Sequence, residues 1–179
     1  YYLPSIMTPF SRKKPLIRIS VTILPTEIVV KNAAELNCDI GFISYPIENE
    51  KLRLREILED RLVLIVPPDH PLACKMQVDP VDLEFQSMIV HEKRSAPRQA
   101  MERFMSKNRI SVSISLELSS NRAIKKAVED GLGMALISRK VANEEIEAGT
   151  LVAINLPDPI LTRKFYIVHH RDKFITETL

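Results

Sequence analysis

Between Glu59 and Ala73 the chain reads EDRLVLIVPPDHPLA: an acidic pair, five consecutive apolar residues at 62–66, then Pro67, Pro68 and Pro71. A strand that is apolar without alternation is buried on both faces. Proline lacks an amide donor and is tolerated only where a strand leaves its sheet, so this strand has to exit abruptly. The stretch therefore carries the chain out of one compact unit and into another.

On either side of it the same alternation of strand and helix appears. Leu3, Ile6, Met7 and Phe10 follow the helical spacing i, i+3, i+4, i+7, and Lys13-Lys14-Pro15 stops that helix. Ile17, Ile19 and Val21 then alternate with polar residues as a strand, 26–36 is helical, and 39–44 is a buried strand ending before Tyr45-Pro46. The spacing predicts two strands next, 52–58 and 62–66, separated by Glu59-Asp60. Past the prolines come a helical turn at 79–83 and strands at 88–90, 112–118, 134–137 and 151–154, with helices at 96–108, 121–130 and 141–148 between them. Pro157-Asp158-Pro159 breaks the chain before a hydrophobic strand at 165–168, and 174–179 reads as the start of a last helix. Such an order implies largely parallel sheets covered by helices. If 62–66 leads out of the first unit, 165–168 leads back, and two crossings make a hinge. The expected architecture is α/β, with one lobe of residues 1–66 plus 167–179 and a second of 67–166.

Composition removes several function classes. With 25 basic and 23 acidic residues dispersed along 179, the chain has no concentrated basic face for nucleic acid. Cys38 and Cys74 are the two cysteines, which fits small, partly buried residues in a reducing compartment better than a disulfide scaffold. No run of about 18 apolar residues is present to span a bilayer, and no basic start with an apolar stretch precedes a cleavage site. A cytoplasmic protein is the default expectation. The chain opens without Met and already inside a helical pattern, so it reads as part of a longer protein.

Enzymatic signatures are weak. His70, His91 and His169-His170 lack a Cys or His partner at metal spacing, no Gly-x-Ser-x-Gly elbow occurs, and neither cysteine sits in a nucleophile motif. Gly131, Gly133 and Gly149 read as helix stops and tight turns, without the spacing of a dinucleotide or phosphate loop. Neither catalysis, a metal nor a cofactor is expected.

Three predicted helices begin with a hydroxyl residue: Thr26 before Glu-Ile-Val, Ser95 before Ala-Pro-Arg, and Ser120 before Asn-Arg-Ala. Each is most simply an N-cap contributing about 1 kcal/mol. In open α/β sheets, however, helix N-termini at the carboxyl ends of strands direct amides and positive dipole ends at a ligand, so together they predict an anion site. Arg98 strengthens this, because a cation in the first helical turn opposes the dipole unless it meets a carboxylate of a ligand or of Glu92.

The chain also carries Pro15-Leu-Ile-Arg-Ile-Ser, Thr26-Glu-Ile-Val, Cys38-Asp-Ile-Gly-Phe, Glu92-Lys-Arg-Ser-Ala-Pro-Arg, Glu117-Leu-Ser-Ser-Asn-Arg-Ala-Ile-Lys, Gly131-Leu-Gly-Met-Ala-Leu-Ile-Ser and Arg163-Lys-Phe-Tyr-Ile-Val. In this order, with the proline-rich crossing, it resembles the effector-binding domain of LysR-type transcriptional regulators over almost all its length. The resemblance implies two Rossmann-like lobes related to type II periplasmic binding proteins, with a small effector in the cleft between them, which the helix starts above lead us to expect is an anion. It implies a helix-turn-helix DNA-binding domain ahead of this segment, assembly as a homodimer or homotetramer, and contact with DNA and RNA polymerase only through the full-length protein. It also implies effector contacts at Thr26, Ser95, Arg98 and Ser120. Leu24-Pro25 departs from the Gly-Asn usual before that threonine, and Pro25 removes an amide donor from the loop. The competing expectation is a solute-binding protein that delivers a ligand to a transporter, which shares the two-lobe architecture.

Overall fold

The computed structural model describes residues 2–93, 95–156 and 158–174. In chain order its elements are α1 (Tyr2–Lys13), α2 (Thr26–Ala34), β1 (Gly41–Ile43), β2 (Leu52–Val66), β3 (Ser87–His91), α3 (Ala96–Asn108), β4 (Ser113–Leu118), α4 (Asn121–Glu129), β5 (Ala135–Ser138), α5 (Asn143–Ala148), β6 (Val152–Ile154) and β7 (Thr162–His170). They form two compact units, Tyr1–Glu59 with Lys164–Leu179, and Asp60–Arg163. The chain thus crosses twice, once inside β2 and once inside β7. Residues 60–66, which the sequence reading put in the first lobe, belong by packing to the second unit. The helix expected at 174–179 falls, past Phe174, outside the described residues.

In the first unit β1 pairs antiparallel with β7, Gly41 opposite Val168 and Ile43 opposite Tyr166, and β7 lies beside β2. The core is small: Val30 and Ala33 of α2 meet Ile43, Leu52 and Val168. Gly41 permits that approach, because a Cβ there would sit 2.5 Å from Val29 Cγ1 and 2.8 Å from Val168 Cγ1. The strand expected at Ile17, Ile19 and Val21 is not formed. Residues 17–25 have no regular structure, and Leu16 and Ile23 stand almost wholly in solvent. Alternation marks a face but supplies no partner, and a strand exists only through hydrogen bonds to a neighbour.

In the second unit, residues 62–66 are completely buried. Leu62, Leu64 and Val66 enter one core with Met88, Phe104 and Met134, while Val63 and Ile65 enter another with Ile124, Val128 and Ile137. Burial on both faces follows directly, each side chain contributing about 1.5–3 kcal/mol. β5 pairs antiparallel with β2 along one side, Leu62 opposite Ser138, and β6 along the other, Leu64 opposite Ile154. β3 and β4 are parallel, His91 opposite Leu118. A parallel bridge from Met88 to Met134 ties β3 to the chain entering β5. The sheets are therefore more mixed than the expected parallel arrangement, because the crossing strands run opposite to their neighbours.

Two local expectations change. β2 is one unbroken strand, since Asp60 is buried at 4% exposure and engaged by side chains rather than turning in solvent. His70, beside the prolines, caps the 3-10 turn Pro71–Cys74 by accepting at Nδ1 from the Leu72 amide at 3.2 Å. Burial holds its pKa below the usual histidine value, more than Asp69 raises it.

Candidate functional site

Ser95 and Ser120 sit at corresponding places in the second unit. β3 and β4 run parallel and end level, Val90 opposite Glu117, and each leads through a short connection into the helix that follows it. Ser95 is the N-cap of α3: its Oγ accepts from the Arg98 amide at 3.3 Å and donates to the Glu92 carbonyl at 2.8 Å. Ser120 is the N-cap of α4, its Oγ accepting from the Ala123 amide at 3.4 Å. Neither helix has an acidic residue in its first turn, so neither positive end is neutralised from within. Pro97 removes one amide from the start of α3, leaving α4 the fuller set of donors.

Arg98 is brought to the same edge but is already engaged. Its side chain is buried, with Nε donating to Glu102 Oε1 at 2.6 Å and Nη1 to the His91 carbonyl at 3.3 Å. Glu117 Oε2 lies 3.5 Å from Nη1, so the carboxylates answering this first-turn cation are Glu102 and Glu117 rather than Glu92. Arg98 thereby joins the end of β3, the first turns of α3 and the end of β4.

Thr26 belongs to the first unit and differs from the expected cap. Pro25 is the N-cap of α2, its carbonyl accepting from the Ile28 and Val29 amides at 3.0 Å, and Thr26 is the first helical residue. A capping hydroxyl requires extended backbone, and Pro25 already occupies that position. The Tyr45 phenol, near Thr26, donates to Glu27 Oε1 at 2.5 Å. That bond lowers the Glu27 pKa and raises that of Tyr45. A carboxylate in the first turn makes this helix start less receptive to an anion than those of α3 and α4.

Sequence reasoning missed a polar cluster at the carboxyl ends of the parallel strands. Asp60 receives the Ser138 hydroxyl on Oδ1 at 2.7 Å and Arg163 Nη2 on Oδ2. His91, at the end of β3, is 7% exposed, and its Nε2 is buried without a hydrogen-bond partner. Burial, and then the nearby Arg163 charge, hold the His91 pKa below the ordinary value, so the ring is neutral. The available signal was a polar residue closing an apolar strand immediately before a helix start. Among the described residues no group of three His, Cys, Asp or Glu is placed to hold a metal, and no helix is long and apolar enough to cross a membrane.

With this geometry in place, similarity to known proteins is informative. An uncharacterized HTH-type transcriptional regulator of Escherichia coli K12, YeiE, is 30% identical over 179 residues, covering 100% of this chain and 61% of the relative. The HTH-type transcriptional activator CmpR of Synechocystis is 31% identical over 173 residues, covering 97% of this chain and 57% of the relative. The chain thus spans about three fifths of the length of the curated relatives it matches. Among solved structures, the regulatory domain of CcmR from Synechocystis PCC6803 in complex with 2-PG matches with a TM-score of 0.81 at 27% identity, covering 99% of this chain and 85% of that one. The family model of the LysR substrate binding domain matches residues 1–179, and this chain belongs to that family.

Proposed function

We propose that this chain is the sensing domain of a cytoplasmic transcriptional regulator and takes up a small anion where α3 and α4 begin. The observation that carries the reading is the pair of uncompensated helix N-termini, capped by Ser95 and Ser120, at the level ends of parallel strands β3 and β4. The likeness to a regulatory domain solved with 2-PG supports it. Arg98, held by Glu102 and Glu117, ties the first turn of α3 to the ends of β3 and β4.

No chemical step is required. The anion acts by binding one arrangement of the full-length homodimer or homotetramer better than another, and can shift the equilibrium only by that difference in affinity. DNA and RNA polymerase are then met by parts of the protein outside this chain. That the relatives are transcriptional regulators favours this reading over a solute-binding protein.

Thermal-shift titration with 2-PG, inorganic phosphate and small carboxylates tests it. A ligand at 100 times its dissociation constant stabilises by about 2.7 kcal/mol, a rise of roughly 5 to 10 °C for a chain of this size. Ser120→Asp is expected to abolish the response by placing a negative charge at the start of α4. If no anion shifts the melting temperature, or Ser120→Asp and Ser95→Ala respond as the parent does, the assignment fails.

A further inference from the structure

We propose that His91 is an effector-contacting residue, its imidazole Nε2 donating a hydrogen bond to an oxyanion oxygen held at the start of α3. The inference rests on the anion-sensing reading above and names one further group at the same edge.

The argument begins with an unmet polar atom. His91 closes β3, every other residue of which beyond Ser87 is apolar and buried. Its backbone is committed, the carbonyl accepting from Arg98 Nη1 at 3.3 Å. Its ring is more than nine-tenths buried, yet Nε2 has no hydrogen-bond partner. Leaving a buried polar atom unsatisfied costs about 1–3 kcal/mol, so such an atom marks either strain or a place where a partner arrives. Arg163 lies close enough to influence the ring electrostatically.

The surroundings specify the partner. A neutral imidazole is one donor and one acceptor, and toward an anion drawn to the neighbouring helix starts the ring acts as donor. The turn joining β3 to α3 carries exposed Glu92 and Lys93, and contact through the occluded Nε2 requires the ring or its cover to move. Glu92 and Ser95 are tied to each other by two hydrogen bonds, Ser95 N to Glu92 O at 3.0 Å and Ser95 Oγ to the same carbonyl at 2.8 Å.

The test uses the whole chain with 2-PG and inorganic phosphate as probes. Nitrogen-15 NMR of the histidine rings follows Nε2 directly in the unmodified protein, and isothermal titration compares it with His91→Phe and His91→Gln. Expected is a shift of the His91 Nε2 resonance on saturation, an affinity about tenfold weaker in His91→Phe, and partial recovery in His91→Gln, whose amide can also donate. If a probe binds with perturbed amides at Ser95 and Ser120 while the His91 ring stays unchanged, the anion site stands and the role of His91 is overturned. Should neither probe bind, the underlying reading fails and this inference fails with it. The ring spectrum of the parent keeps the outcome decisive even if a variant folds poorly.

Discussion

Asp60 shows how one side chain alters the meaning of its neighbourhood. In the sequence it belongs to a charged interruption between two apolar runs; in the fold both carboxylate oxygens are taken, by Ser138 and by Arg163, at 4% exposure. Removing one member of a buried pair leaves the other uncompensated, so Asp60→Ala is expected to cost about 3–5 kcal/mol. Ser138→Ala, which deletes one hydrogen bond to a group still paired, is expected to cost about 1 kcal/mol. Urea unfolding measures both, and equal midpoints for the two variants would contradict the pairing. Arg98 follows the same logic. Its type and position suggested a carboxylate partner, but selecting Glu102 and Glu117 over Glu92 required the helix and the adjacent strand to be in place.

At the level of elements, α3 matches its expected bounds because Ser95 caps it, Pro97 suits its first turn, and its apolar spacing buries Ala100, Met101, Phe104 and Met105. Ser95→Ala is expected to lower stability by about 1 kcal/mol, read as a shift in the urea midpoint. The turn into β5 is a sharper constraint. Gly133 has φ +147, and a Cβ there would come within 2.7 Å of the Ser87 carbonyl oxygen, which accepts from Met134 N at 2.9 Å to join β3 to β5. Gly133→Ala is expected to cost roughly 2 kcal/mol or more. Gly149→Ala, at φ +74 with nothing within 4 Å of the added Cβ, is expected to cost about 1 kcal/mol. If the two variants unfold at the same urea concentration, close approach at Gly133 is not what that glycine provides. The unformed strand at 17–25 shows the limit of reasoning element by element, because nothing in its own residues says what it pairs with.

For the whole molecule, several groups link stability to pH in the same direction. His91 and His70 have pKa values held below the ordinary value, chiefly by burial. The unfolded chain therefore takes up protons near pH 6.5 that the folded chain refuses, and stability falls as pH drops through about 6.5. Asp82 and Asp158 act lower. Lys75 holds Asp82 down, while burial raises Asp158 and the Lys107 ammonium and Ile160 amide more than reverse it. Their contribution is present above the unfolded value of about 3.9 and is lost on further acidification. The urea midpoint is expected to fall between about pH 7 and pH 5.5, and a His70→Gln, His91→Gln variant to lose most of that fall. An unchanged pH profile in the variant would place the effect elsewhere.

Read alone, the sequence was enough for the α/β class, the strand at 62–66 buried on both faces, and the helix starts at Ser95 and Ser120, because periodicity and capping act within a few residues of chain. Only the tertiary structure decided where the two units divide, that β2 runs straight through Asp60, which carboxylates meet Arg98, and that His91 is buried with an unmet nitrogen. Those features depend on residues tens of positions apart meeting in space, and no local pattern records which of the many chemically suitable partners arrives.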